Sequence, residues 1–164
     1  MIILGIDPGM TGALCVIGTA GPRLIACIDM PVLDFGTKTR KVVDARAVAE
    51  WTAQHDIDCA VIEHQQPMGG NLGVSVAFTM GRMAGGVESA LSATGLPMHY
   101  TTPASWKAKA GLLKATKKQS LDRARQLFGV VPEFKRVKDS DRAEAALIAF
   151  FGLPERVMGR RAAA

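Results

Sequence analysis

Residues 2–12 read IILGIDPGMTG, and the fold follows from how that stretch is parsed. An apolar run rich in isoleucine ends in one acid, Asp7, and is cut off by Pro8-Gly9 and then Gly12, which is the pattern of a buried strand stopping at a tight turn. Two more apolar runs follow, ALCVIG (13–18) and LIACIDM (24–30), with TAGP (19–22) between them. Strands joined by such short turns pair antiparallel, so the first thirty or so residues read as a three-strand meander.

Further along, Asp44 stands where a helix N-cap belongs, ahead of ARAVAEWTAQH (45–55). CAVIE (59–63) is a short, wholly apolar run ending in an acid, as a central strand buried on both faces would be. The loop HQQPMGGN (64–71) leads to a long helical stretch from about Gly73 to Thr94, and LPMHY (96–100) reads as another strand. Thr102-Pro103 is a cap followed by proline at the first helical position. Thr116 and Gln119 form a capping box for a helix carrying Leu121, Ala124, Leu127 and Phe128. A last helix starts near Asp139 to Asp141 and runs to a glycine stop at Gly152. The basic, small-residue tail from about 153 reads as frayed. The chain lacks internal repeats and linkers. The expected architecture is a single α/β domain over residues 1–164: a five-stranded mixed sheet, three antiparallel strands then two parallel, with helices on both faces.

In the long helix Gly73, Ala77, Gly81, Gly85, Ser89 and Ala93 recur every fourth residue. Interior glycines cost a helix ~1 kcal/mol each against alanine, so a close neighbour must offset them. That neighbour is either the chain's own sheet or a second subunit.

The chain of 164 residues is 48% hydrophobic and 21% charged, which excludes global disorder. Its N-terminus lacks the basic start of a secretory signal. The longest apolar candidate, residues 72–98, contains Arg82 and Glu88 and falls short of the ~18 uncharged residues of a membrane span. Cys15, Cys27 and Cys59 are too few and too scattered for a disulfide scaffold or a zinc site, which points to a reducing, cytoplasmic setting. Charge is unevenly placed: residues 1–100 sum to −3, while residues 101–164 sum to +8. Lys107, Lys109, Lys114, Lys117 and Lys118 fall in one stretch without an acid, the electrostatic footprint of a nucleic-acid binder or else a solvated helical face.

Four acids stand out by position. Asp7 and Glu63 end apolar strands, and Asp141 and Glu144 share one face at the start of the last helix. Carboxylates ending buried strands are costly unless paired or holding a cation, and an all-oxygen set suits Mg²⁺, with Mn²⁺ able to substitute. Two such ions ~4 Å apart activate a water and stabilise the leaving oxygen of a phosphodiester. Each acid also has a plainer reading: Asp141 and Glu144 fit a capping box, Asp7 a turn, and Glu63 a loop edge. Asp139 lies off the face that Asp141 and Glu144 share and fits an N-cap. The histidines His55, His64 and His99 lack metal-ligand spacing, and no G-x-S-x-G nucleophile motif occurs.

In order, ILGIDPGMTGA, VIEHQQ, GVSVAFTMGRMAGGVESAL, PASWKAKAGLLKATKKQSL and DRAEAALIA resemble RuvC-type Holliday junction resolvases, most of all the phage-encoded branch, over residues 2 to about 152. The resemblance implies a ribonuclease H-like fold, a homodimer and Mg²⁺-dependent, symmetric nicking of four-way DNA junctions in a bacterial or phage-infected cell, at the nucleoid. By position Asp7, Glu63, Asp141 and Glu144 match the catalytic metal-binding tetrad, with Glu144 where many members carry aspartate. Lys107 and Lys118 match two basic positions near the scissile strand. Where the family often has a base-wedging aromatic after the strand acid, this loop reads QQPMGG, leaving Gln66 or Met68 for that work.

Three other classes share parts of this pattern. A ribonuclease H-like enzyme acting on RNA–DNA hybrids or other branched DNA would carry the same tetrad. A kinase of the sugar kinase and actin superfamily has a similar first loop but needs two such domains to enclose ATP. A non-catalytic junction-binding module would keep the lysines without needing all four acids.

Overall fold

The computed structural model describes residues 1–34, 41–65 and 73–154. Gln66, Met68 and the tail beyond Pro154 therefore lie outside the described residues.

Strands β1 (Ile2–Asp7), β2 (Ala13–Gly18) and β3 (Arg23–Asp29) form the meander. A hairpin of two two-residue strands, β4 (Val32–Leu33) and β5 (Val42–Val43), is too short to leave a periodic signal in the sequence. Helix α1 (Ala45–Thr52) follows, its first turn capped by the Asp44 carboxylate, which accepts from the Ala47 amide. Next come β6 (Cys59–Glu63), α2 (Val74–Thr94), β7 (Met98–Thr101), α3 (Pro103–Ala110), α4 (Lys117–Phe128) and α5 (Ser140–Phe151). Both Thr102 and Thr116 cap as their sequence contexts imply, the latter in a full capping box with Gln119.

The main sheet has five strands in the order β3-β2-β1-β6-β7. β1 is antiparallel to β2 and parallel to β6, and β6 is parallel to β7. Strands bury alternate residues on opposite faces. On one face Leu4, Ile6, Leu14, Val16, Ala60 and Ile62 pack with Val48 of α1 and Met83, Val87 and Leu91 of α2. On the other face Ile3, Cys15, Ile17, Cys59 and Val61 pack with α3, α4 and α5. Helices thus cover both faces, as the apolar character of β1 and β6 requires.

One expectation is corrected, and one open alternative is narrowed. Cys15 and Cys27 sit opposite each other in the β2–β3 register, with Cα atoms 4.1 Å apart, and are joined as a disulfide. A separation of 12 residues carries no sign of this; the strand register creates it. The small-residue ridge of α2 does not pack on the sheet. Met83, Val87, Ala90 and Leu91 are the buried side, whereas a Cβ added at Gly73, Gly81 or Gly85 would meet nothing within 4 Å. Gly86, which is off the ridge, is the tight one, with Val43 Cβ 3.0 Å from the position of its missing Cβ.

Gly5 fixes how α5 sits. A Cβ there would fall 2.0 Å from the Ala145 carbonyl oxygen and 2.6 Å from the Ala149 amide nitrogen. The helix answers with alanines of its own, Ala143, Ala145, Ala146 and Ala149 all being fully buried. Strand and helix backbones therefore touch. Because the obstruction is backbone and cannot rotate aside, Gly5→Ala is expected to destabilise the protein by at least ~2 kcal/mol in urea unfolding, at the upper end of overpacking effects.

Candidate metal centre and nucleic-acid interface

Asp7 is the last residue of β1, and Ile3, Gly5 and Asp7 share the α5 face by the two-residue alternation. With α5 held against Gly5, the first helical turn brings Asp141 and Glu144 to the same place. Asp7, Asp141 and Glu144 each offer one carboxylate oxygen within 4.8 Å of the others. Glu63 ends the neighbouring strand β6 and belongs to the same face, as Cys59 and Val61 show, but it stands outside that closest set.

Each of the four acids is held on one oxygen. The Gly9 amide donates to Asp7 Oδ1 at 3.1 Å, which explains why the turn after β1 begins where it does. The Trp106 indole donates to Glu63 Oε1 at 2.7 Å. Lys117 Nζ donates to Asp141 Oδ1 at 2.5 Å. Glu144 Oε1 accepts from Ser120 Oγ at 2.9 Å and pairs with Lys107 Nζ at 3.5 Å.

Burial raises the pKa of Asp7 to about 7 from its ordinary 3.8; the Gly9 amide works against this, and the charges of Glu63, Asp141 and Glu144 add to it. Burial likewise raises Glu63, against the opposing Trp106 hydrogen bond and Lys107 charge. The Asp141 hydrogen bond raises Lys117. Carboxylates crowded so that not all ionise comfortably are the electrostatic complement of a hard divalent cation, and an all-oxygen donor set fits one.

Of the lysines, Lys107 on α3 and Lys117 on α4 reach the acids. Lys118 is exposed and makes no ion pair among the described residues. Lys109 donates to the Leu153 carbonyl oxygen at 3.4 Å, and Lys114 is an exposed residue in the left-handed region with φ 58°. Asp139 is buried and clasped by the Arg136 guanidinium, with Nη2 2.8 Å from Oδ1, away from the cluster. An apolar recess opens between the Pro8–Met10 turn, which follows Asp7, and the first turns of α2, bordered by Gln65, Val76, Met80 and Met83. Two participants are not apparent from residue type alone, Trp106 and Ser120. For Trp106 a signal exists: a buried indole must place its N–H on a partner.

A raised Asp7 pKa has a definite thermodynamic sign. Between pH 4 and 7 the native state holds a proton that the unfolded state releases, so this contribution to stability is full below about pH 4 and lost as pH rises through about 7. In chelator, Asp7→Asn is therefore expected to melt higher than the unaltered protein at pH 8, with the difference vanishing at pH 4. The same substitution should abolish Mn²⁺ binding measured by calorimetry. A lower melting temperature at pH 8 would contradict this account of the site.

No family model matches the chain, and no curated protein matches it. Solved structures do. A Thermus thermophilus RuvC in complex with Holliday junction substrate superposes with a TM-score of 0.68 at 21% identity, covering 90% of this chain and 91% of that one. A second Thermus thermophilus RuvC structure gives 0.67 at 21% identity, covering 97% of each chain. The fowlpox virus Holliday junction resolvase gives 0.54 at 15% identity, covering 90% of this chain and 94% of that one. With the same mixed sheet, strand order and covering helices, the chain has the fold of the RuvC-type Holliday junction resolvases.

Proposed function

We propose that this chain is a metal-dependent, structure-selective DNA endonuclease that resolves four-way junctions by paired, symmetric nicks. The carrying observation is the meeting of Asp7, Asp141 and Glu144 beneath Lys107 and Lys117. The fold shared with a RuvC that has been solved on a Holliday junction supports the choice of substrate. No described helix is long and apolar enough to cross a membrane. This reading places the work in the cytoplasm, at the DNA, on the substrate alone, because the Cys15–Cys27 disulfide removes the cysteine argument for a reducing setting.

Asp7, Glu63, Asp141 and Glu144 are the residues that would hold Mg²⁺, two ions per site, with Mn²⁺ substituting. Bound there, the ions supply Lewis-acid stabilisation of a phosphodiester and a nucleophilic water. The chain's own groups do the rest. In the DNA-free protein Lys107 and Lys117 neutralise Glu144 and Asp141. Once the acids have another counter-charge, both ammonium groups are free to turn to the phosphate being cut. Lys109, Lys114 and Lys118 are exposed and suit backbone phosphates on either side. The recess lined by Met80 and Met83 suits the face of a base unstacked next to the cut.

A four-way junction is approximately two-fold symmetric, so paired nicking needs two sites related by an isologous contact. The uncovered ridge at Gly81 and Gly85, with exposed Val74, Val76 and Phe78 on the same helix, is the surface we assign to that contact.

The test is a labelled four-way junction beside a duplex, a flap and an RNA–DNA hybrid, each in Mg²⁺ and in chelator. Cleavage of opposed junction strands in Mg²⁺ alone is the expected result; a monomer that cuts hybrids and ignores junctions would overturn the resolvase reading. Lys117→Ala should lower the junction rate by ~100-fold, the scale of losing one group from a charge-stabilising site, with little change in melting temperature. Lys118→Ala should mainly weaken binding and flatten its salt dependence. Gly81→Leu should halve the sedimentation mass while leaving the fold intact.

A further inference from the structure

Trp106 is fully buried, and its ring packs in the core under α5. Its one polar atom, the indole N–H, is spent on Glu63 Oε1 at 2.7 Å. The next residue, Lys107, lies with its ammonium 5.1 Å from the Trp106 ring centroid and 3.5 Å from Glu144 Oε1. One turn of α3 therefore grips two acids of the site, on two different elements, by adjacent side chains.

The two grips differ in kind. Lysine is a cation, so its ion pair with a carboxylate competes with any metal ion for the same charge. An indole is a neutral donor with no acceptor and no titration in water. It can fix one oxygen and the plane of a carboxylate while leaving the negative charge and the second oxygen available. A buried ring cannot swing away as an exposed lysine can, because its position is set by close-packed neighbours.

We propose that Trp106 is a positioning residue for the metal centre: it locks the Glu63 carboxylate in the orientation that completes the site while leaving that carboxylate its charge. This rests on Glu63 being a metal ligand and does not depend on which DNA is cut. Donors behind metal ligands typically govern affinity by 10- to 100-fold when removed. The expectation here is a loss of that order, confined to the ion that Glu63 helps to hold.

The experiment compares the full-length protein with Trp106→Phe and with a form in which position 106 carries 3-benzothienylalanine, where sulfur replaces the indole N–H with little change of shape. Mn²⁺ binding is measured by calorimetry and by electron paramagnetic resonance, with melting temperature as a check on packing. In the isosteric form the melting temperature should hold, while the weaker Mn²⁺ association falls at least 10-fold and the stronger one changes less. In a Trp51→Phe background, Mg²⁺ should also alter the emission of Trp106, since its hydrogen-bond acceptor shares charge with the ion. Unchanged Mn²⁺ affinities in the isosteric form would overturn the proposal while leaving the metal centre standing. Unchanged binding in Glu63→Gln would overturn it as well, by removing Glu63 from the ligands. Failure to cut junctions, with the Mn²⁺ and fluorescence results as expected, would count against the resolvase reading and support the role of Trp106.

Discussion

A helix can rest on a strand at backbone distance only where the strand has no side chain in the way, and in β1 that gap is Gly5. The alanines of α5 fill it from above, so the helix axis is brought nearer the sheet than leucines would allow. Two residues along the same face of the strand stands Asp7, and at the start of the same helix stand Asp141 and Glu144. The cluster of carboxylates is thus a result of packing. Apolar burial along α5 is what holds like charges within reach of each other, at a cost registered in the raised pKa of Asp7, which burial sets first and the neighbouring carboxylates add to. Functional sites commonly carry such a local cost, offset by the surrounding core.

The counter-ions are arranged with comparable economy. Asp141 and Glu144 are each met by a lysine from a different helix, α4 and α3, whereas Glu63 is met by a neutral indole. Helices α3 and α4 are both started by threonine caps, Thr102 and Thr116, that fix where their first turns begin. Lys117 is the first residue of α4 and Lys107 lies one turn into α3, so the caps decide where those ammonium groups emerge. Moving either helix start by one residue would rotate its lysine by about 100° around the axis, off the site.

That geometry also explains what could be read from the sequence and what could not. Strand ends, caps and the glycine stop depend on neighbours a few residues away, and β1, β2, β6, α3, α4 and α5 lie where local pattern puts them. The gathering of Asp7 with Asp141 and Glu144 was visible as four acids at suggestive positions, because strand and helix periodicity assign each a face. That Lys117 and not Lys118 pairs with Asp141 was not, since adjacent residues of one helix differ only by rotation, and that rotation is set by tertiary docking. Trp106 escaped for another reason. A buried tryptophan looks the same in sequence whether its N–H meets a carbonyl or a carboxylate of the acidic site. Cys15 and Cys27 likewise needed the register of β2 on β3, which includes a bulge between Val16 and Ile17, before they could be seen to face each other. The ridge of α2 was legible as a pattern, and only the docked helix shows which way it faces.

The order of the elements along the chain has a consequence for biosynthesis. The first acid of the site emerges from the ribosome with β1, but Asp141 and Glu144 arrive more than 130 residues later, on the last described helix. Until α5 docks, β1 lies uncovered on one face and the carboxylates have not met. A nascent chain carrying the meander, β6, β7 and every lysine from 107 to 118 already holds that positive charge, yet it has no place to assemble the acidic cluster. The gathered carboxylates therefore appear in a single late step, with completion of the fold.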